Sequence, residues 1–571
     1  MKQSARKHAW ILIAGLALAG CPEGAEPPPP PPAVQELPLT PFLVDGTVVG
    51  GGSLIVQVQG ASLLDPRRGV VTLQGVIDGV EPIDESFVAT LEEGPGDALT
   101  LRVSWFDLQA LTATGTAMFE GELRVVVEDK LDSLRGVGAI DTVAIEMVER
   151  LEPRVAFPQN FAVHLNEEVS LDARGLLRPG EGESRVVLEG EFLTQGGTSR
   201  DVNAALPMRI GAGGRSDARV HFPPDTFGLE PGVFQGRATA YNEHELSDLV
   251  AGSSVESIIE QSPTVLEGFA PAAGSRGEIV EVVGAGLIPA DIRDSRTMFL
   301  LVEGTFRTTT GVVVELEGET ALRLAPDEVP SHDQARLVLR TQVLEQAGMP
   351  QLVGLTAAPG VFQGKMTPVL VDSVSTVMGV PWEGQFVIEP TQQIVFVKFL
   401  PGFSEALDEF GLGNVEREIR DRIFAVLARD YEGMNIEFVE TRPDGFAEYA
   451  VIEVGGVDPN GADLLGLDNT AGKDTGNLRL DDIIGGENAD SGELGYFVFG
   501  GVFVHSFRLF SPTISGENEL ASPLFDQVFA PFMGELGGTT VAATEWPDGP
   551  RRDMIGEAAR VMGNLIGNTI S

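Results

Sequence analysis

Over most of the chain, apolar and polar residues alternate in short runs broken by Gly, Pro and Asp. Leu54-Ile-Val-Gln-Val-Gln59, Arg185-Val-Val-Leu-Glu-Gly190 and Arg336-Leu-Val-Leu-Arg340 put every second side chain on one face. That is the period of a half-buried β-strand. From about residue 376 the pattern changes. Gln393 to Leu400 is a continuous apolar strand, and Val415 to Asp430 has helical spacing with Val415, Ile419, Ile423, Phe424 and Leu427 inward. Strands over 435–439 and 449–454 follow, then an acidic, glycine-rich stretch from Asp458 to Gly486. Apolar segments at 496–499 and 502–504 precede a closing helix from Pro550 to Ser571. Its stripe Met554, Ala558, Met562 and Leu565 runs beside Ile555, Ala559, Ile566 and Ile570, so the helix is expected to be buried on a wide face.

The alternating part repeats itself. Thr72-Leu-Gln-Gly75, Leu188-Glu-Gly190 and Leu301-Val-Glu-Gly304 lie 115 and 114 residues apart, glycine to glycine. A second marker follows as Phe119-Glu-Gly121, Phe234-Gln-Gly236 and Phe362-Gln-Gly364, at 46, 46 and 60 residues from the first. The longer third interval predicts an insertion within 330–359. A third marker is an apolar pair shortly after a glycine: Leu63-Leu64, Leu176-Leu177 and Leu287-Ile288. Units of this length filled with short alternating strands predict antiparallel β-sandwiches.

The third unit opens Pro263-Thr-Val-Leu-Glu-Gly-Phe-Ala-Pro-Ala-Ala-Gly274 and continues Gly277-Glu-Ile-Val-Glu-Val-Val-Gly284-Ala-Gly286. It resembles the IPT/TIG family of immunoglobulin-like domains, a likeness that implies a sandwich with a spacer or binding role and no catalytic residues. The expected fold is therefore mainly β: three immunoglobulin-like β-sandwiches in series, then an α/β domain with a mixed sheet. The boundaries drawn are 1–20 (signal peptide), 21–38 (lipidated cysteine and Pro-rich tether), 39–150, 151–262 and 263–375 (sandwiches) and 376–571 (α/β).

Composition agrees with a folded, turn-rich chain of about four domains: 571 residues, 43% hydrophobic, with 69 Gly and 37 Pro. A net charge of −45 argues against nucleic acid or anionic lipid as a partner of the folded part. The one cysteine, Cys21, follows a basic segment (Lys2, Arg6, Lys7) and a short apolar run. Leu18-Ala19-Gly20-Cys21 resembles a bacterial lipobox, which implies cleavage after Gly20, lipid on Cys21 and membrane attachment through that lipid. Pro22 at the next position implies the outer membrane by the same resemblance. Pro27 to Pro32 favour a stiff polyproline tether.

No catalytic constellation is predicted. His164, His221, His244 and His332 have no ligand partner at metal-binding spacing. No nucleophile elbow and no phosphate-cradling loop occurs. The C-terminal order of elements, Tyr431-Glu-Gly-Met-Asn-Ile-Glu-Phe-Val439, Gly466-Leu-Asp-Asn469 and Ile566-Gly-Asn-Thr-Ile570 resemble the N-terminal subdomain of metzincin-type zinc metalloproteases. That family continues into a His-Glu-x-x-His helix, which this chain, ending at Ser571, does not contain. Neither zinc ligands nor a general base are present, so zinc is not expected. Clustered oxygen ligands at Asp458, Asn460, Asp463, Asp468, Asn469 and Asp474 suit Ca²⁺, with solvated turn residues as the alternative reading. Two functional readings follow. One is a lipid-anchored cell-envelope protein with a non-catalytic binding, adhesion or structural role toward a protein or surface ligand. The other is an anchored zinc protease whose reading frame is cut before its catalytic helix.

Overall fold

The computed structural model describes residues 34–94, 98–111, 116–131, 134–211, 214–245, 249–293, 295–346, 349–470, 480–486 and 498–571. They divide into two compact units. The first holds the described residues up to 152 with 175–183 and 242–250; the second holds 153–174, 184–241 and 251–571. The chain is mainly β.

In the first sandwich nine strands form one continuous sheet. Its centre is β1 (Pro66–Ile77) paired with β2 (Thr116–Asp129). The sheet folds over into two layers because Glu81–Glu93 changes partner midway. Residues 81–89 pair with β1, and Thr90 to Glu93 pair with Leu99–Ser104. One strand thereby turns the corner between the two layers, and the space between them is filled by Leu54, Val56, Val71, Leu101, Phe119 and Val125 among others.

The second sandwich repeats this plan with eight strands. Ser199–Gly211 is its corner strand. It pairs first with β3 (Gly182–Thr194), then from Met208 onward with Gly214–Phe222. Phe192, Phe222, Phe227 and β4 (Gly232–His244) residue Phe234 form an aromatic core, with Phe192 and Phe227 stacked at 5.0 Å.

The third sandwich differs at the corner. The corresponding segment is interrupted by a 3-10 turn at Gly318–Thr320, so two separate sheets of four and seven strands face each other. The larger sheet is built on β5 (Thr297–Thr308), β6 (Gly360–Val371) and β7 (Trp382–Ile388). The expected insertion is the hairpin Gln342–Gln346 with Met349–Val353, a two-stranded ribbon of its own.

The repeat markers have one physical meaning. Gly75 faces Gly121 across β1 and β2, Gly304 faces Gly364 across β5 and β6, and Gly190 lies against Gly236. A Cβ on Gly75 would stand 2.7 Å from the Gly121 Cα, on Gly190 2.6 Å from the Gly236 Cα, and on Gly364 2.7 Å from the Gly304 Cα. Backbones this close admit no side chain. Each pair is covered by the phenylalanine two residues earlier in its own strand: Phe119, Phe234 and Phe362 are all fully buried, with ring carbons 2.9, 3.0 and 2.9 Å from those positions. The third marker is equally physical. Gly60, Gly175 and Gly286 all take positive φ (87°, 71° and 76°), a turn that sends the following apolar pair inward. Leu64, Leu176, Leu177, Leu287 and Ile288 are buried, and Leu63 is exposed.

Two boundaries move. Gln35–Pro38 pairs in parallel with 134–137, so the first sandwich begins inside the segment read as tether. Thr376–Met378 and β7 pair with β6, so the third sandwich extends to 388 and not 375. In both cases a short strand adds to the sheet through backbone bonds, which leave no periodic signal.

The α/β domain begins with β8 (Gln393–Phe399) and α1 (Pro401–Glu409). Then come α2 (Glu416–Asp430), β9 (Ile436–Val439), β10 (Ala450–Gly455), β11 (Gly501–Phe503), α3 (Pro523–Phe529) and α4 (Arg552–Ile570). β9, β8, β10 and β11 are parallel in that order, and Gly466–Leu467 pairs antiparallel to β11, making the sheet mixed. α1 starts with Pro401 in its first turn, where a missing N–H costs nothing, and buries Phe403, Ala406 and Leu407. Neither α1 nor α3 shows as a helix in the sequence pattern, because each is only two turns long.

Within the second unit the third sandwich and the α/β domain are stitched by backbone. Ile279 N–H donates to Gly445 O at 2.8 Å and Ala447 N–H donates to Gly277 O at 2.8 Å. Arg276, 5% exposed, lies 3.6 Å from Glu448. Burial pushes the Glu448 carboxyl above its ordinary range against the opposing pull of Arg276.

Gly236→Ala is expected to destabilise the second sandwich by about 1–3 kcal/mol, and Phe234→Ala by about 3–5 kcal/mol. Gly196→Ala, whose Cβ would meet nothing closer than 3.6 Å, should leave it nearly unchanged. Urea unfolding of the three variants checks this; an unmoved transition in Gly236→Ala would refute the close-approach account.

Candidate functional site

The carboxyl ends of a parallel sheet are where an α/β fold gathers chemistry, above all where neighbouring crossovers leave to opposite sides. Here that switch lies between β8 and β10. The two strand ends meet at Gly402 and Gly456, whose backbones approach so closely that a Cβ on Gly402 would stand 3.0 Å from the Gly456 nitrogen. The crevice is thereby filled by backbone. Beside it His505, whose N–H donates to Gly456 O at 2.9 Å, places Nε2 3.2 Å from Glu409. Arg508 lies 3.3 Å from the same carboxylate and pairs with Glu535. This chain of polar contacts ties the 3-10 segment Val504–Phe510 to α1.

The residues proposed for lipidation and cleavage, Leu18, Ala19, Gly20 and Cys21, lie outside the described residues, as does Asp474. The other calcium candidates lie in two loops near β10 and β11. Asp458 is buried, and its carboxylate accepts hydrogen bonds from the N–H groups of Asn460 (2.9 Å), Ala462 (3.0 Å) and Leu464 (3.1 Å) and from the Asn460 side chain (2.8 Å). Asn469, fully buried, donates from Nδ2 to the carbonyls of Gly485, Gly486 and Val498. Asp468 accepts from the N–H and hydroxyl of Thr470. Asp463 sits at positive φ (52°) in the turn. The oxygens of Asp458 and Asp468, and Oδ1 of Asn469, which accepts from Gly485 N–H, are thus engaged in holding loop backbone. Among the described residues no group of three or more His, Cys, Asp or Glu is arranged to hold a metal ion.

α4, the helix resembling the run into a zinc site, packs along α2. Gly563 and Gly567 admit the close approach: a Cβ on the first would meet the Arg422 Cβ at 2.6 Å, and on the second the Val426 Cβ at 2.8 Å. Arg422 donates to Asn564 at 2.7 Å, Arg429 to Asn568 at 3.3 Å and the Tyr431 hydroxyl to Ser571 O at 3.1 Å, a polar ladder along one side of the pair. The inner face is Ile555, Ala558, Ala559, Met562 and Ile566. Met554, expected inside, is 49% exposed. It lines an apolar groove of about 750 Å³ with Phe510, Leu524, Phe525, Val561 and Leu565.

A second concavity, of about 560 Å³, lies at the stitched joint between the third sandwich and the α/β domain. Arg442, Asp444, Phe446, Tyr449 and Asp481 line it. None of these was singled out in the sequence; an aromatic pair within eight residues of an Arg and an Asp was the available signal.

No family model matches the chain, and no curated protein matches it. Among solved structures it is similar to the three N-terminal domains of the highly immunogenic outer capsid protein of bacteriophage RB49 (14% identity, 62% of this chain and 99% of that one, TM-score 0.15). It is also similar to SGBP-B of the Bacteroides ovatus mixed-linkage glucan utilization locus, solved in complex with a mixed-linkage heptasaccharide (13%, 60% and 70%, 0.17). A third likeness is to fibronectin(III)-like modules of Clostridium thermocellum CbhA (13%, 39% and 94%, 0.14). No described helix is long and apolar enough to cross a membrane.

Burial pushes the Asp458 carboxyl up, but the loop N–H groups outweigh it and hold it below 3.8, its ordinary value. A depressed carboxylate stabilises fully above its unfolded value and loses that contribution as pH falls through the folded one. Asp458→Asn is therefore expected to unfold at lower urea than the parent at pH 7 and to converge with it in strong acid. Parallel curves across that range would contradict the loop role.

Proposed function

We propose that this chain is a lipid-anchored cell-envelope protein, with its lipid on Cys21 and its place at the outer membrane, acting by non-catalytic binding. In this reading the three sandwiches, the third of IPT/TIG type, serve as spacer, and a metzincin-like α/β domain carries the binding surface. One observation carries it: α4 is committed to α2 by Gly563, Gly567, Asn564 and Asn568, so the element resembling a zinc helix serves as a packing element. Two concave surfaces adjoin the packed pair, the groove between α3 and the outer face of α4 and the cleft at the joint with the third sandwich.

Cells expressing the full chain with labelled palmitate should incorporate label, and Cys21→Ala should abolish it. A wild-type chain without label would overturn the anchor. Zinc measured on the purified chain should be well below one atom per molecule; stoichiometric zinc would overturn the non-enzymatic reading.

A further inference from the structure

The cleft at the joint has the features of a built site. Its floor is apolar, made by Ile279 of the third sandwich and Val451 and Ile483 of the sheet. Its walls are pinned on both sides. The 442–449 segment is held by the bonds of Gly445 and Ala447 to Ile279 and Gly277, and the Asp481 side by Val451 N–H donating to Asp482 O at 2.8 Å. Ile483 also pairs with Val451 in register. The cleft is therefore preformed, and its volume of about 560 Å³ lies within the roughly 300–1,000 Å³ of small-ligand sites, which favour domain joints.

Its lining is amphipathic. Phe446 and Tyr449 are half-buried, and among the described residues neither ring is paired with another aromatic. Arg442, Asp444 and Asp481 are exposed, and among the described residues none has an ion pair or a side-chain hydrogen bond. Charges of both signs left unpaired around aromatic faces disfavour a strongly anionic or cationic ligand, since one sign always repels. They suit a neutral ring with an apolar face and a rim of hydroxyls. The apolar face lies on the aromatic side chain, carboxylates accept from hydroxyls, and the guanidinium donates to ring and hydroxyl oxygens.

We infer that this cleft binds a neutral saccharide, with Phe446 and Tyr449 as the stacking faces and Arg442, Asp444 and Asp481 as the hydroxyl readers. The inference rests on the non-catalytic binding reading and names its ligand class. It is tested on the purified full chain, so its failure is separate from failure of the lipid anchor. Isothermal titration against cellohexaose, laminarihexaose, maltohexaose, xylohexaose and chitohexaose should show binding to at least one. Asp444→Asn and Arg442→Gln, both at exposed positions, should weaken that binding about tenfold with unchanged unfolding midpoints. Tyr449→Ala should weaken it further, while Phe106→Ala, an exposed aromatic of the first sandwich, should not. Binding to none of the five would overturn the inference. So would binding indifferent to the Asp444 and Arg442 substitutions, or binding of a lysine-rich peptide in place of every sugar.

Discussion

The facing glycine pair under a buried phenylalanine is the constraint on which the sandwiches depend. At Gly75 and Gly121, Gly190 and Gly236, and Gly304 and Gly364, two central strands come too close for any Cβ. The phenylalanine ring fills the space that two missing side chains would leave empty. The device recurs at the same place in each unit, between the same two central strands. In the third sandwich the row extends to Gly384 on β7, packed against its own Trp382. There the corner strand is broken.

A chain without disulfides in its described residues must hold such units by packing and by backbone pairing. The joint of the third sandwich with the α/β domain does both. Gly277 at positive φ lets the backbone of 445–448 lie alongside it, and a Cβ there would strike Glu448. Arg276 and Glu448 are then enclosed together. Burial raises the Glu448 carboxyl against its partner's pull, which marks a pair whose desolvation is only partly offset. Such a pair adds orientation more than stability, and orientation is what a preformed cleft needs.

Legibility followed this physics. Glycines that cannot be replaced, and phenylalanines two residues away, are visible as words in a repeat, so the sandwiches and the inserted hairpin at 342–353 could be read. Helix α2 was readable because fifteen residues give Ile419, Ile423 and Leu427 room to show a period. The corner strands Glu81–Glu93 and Ser199–Gly211 were not, since changing partner midway leaves their alternation intact. The boundary at 388 and the strand at 35–38 rest on backbone bonds that no side chain announces. The cleft was hidden for the same reason: Tyr449 and Ile279 are 170 residues apart in sequence, and what joins them is peptide groups. Asp458 and Asn469 were readable as oxygen-rich loop residues, while the direction of their oxygens, toward loop N–H groups, is a property of folded geometry.

The closing helix shows how far a resemblance and a packing argument can overlap. Ile566-Gly-Asn-Thr-Ile570 resembles a run leading into a zinc helix, yet each residue has a local reason to be what it is. Ile566 fills the core, and Gly567 admits the Val426 side chain. Asn568 accepts from Arg429, and the Thr569 hydroxyl donates back to Leu565 O at 2.8 Å. Ile570 packs against the β8 and β10 residues Val395 and Ile452. The lack of a basic last turn is answered from α2, where the Tyr431 hydroxyl donates to Ser571 O and Ser571 donates to Asp430. The spacing of this helix from its neighbour is set by its own glycines and amides, Gly563, Gly567, Asn564 and Asn568, against Arg422, Val426 and Arg429.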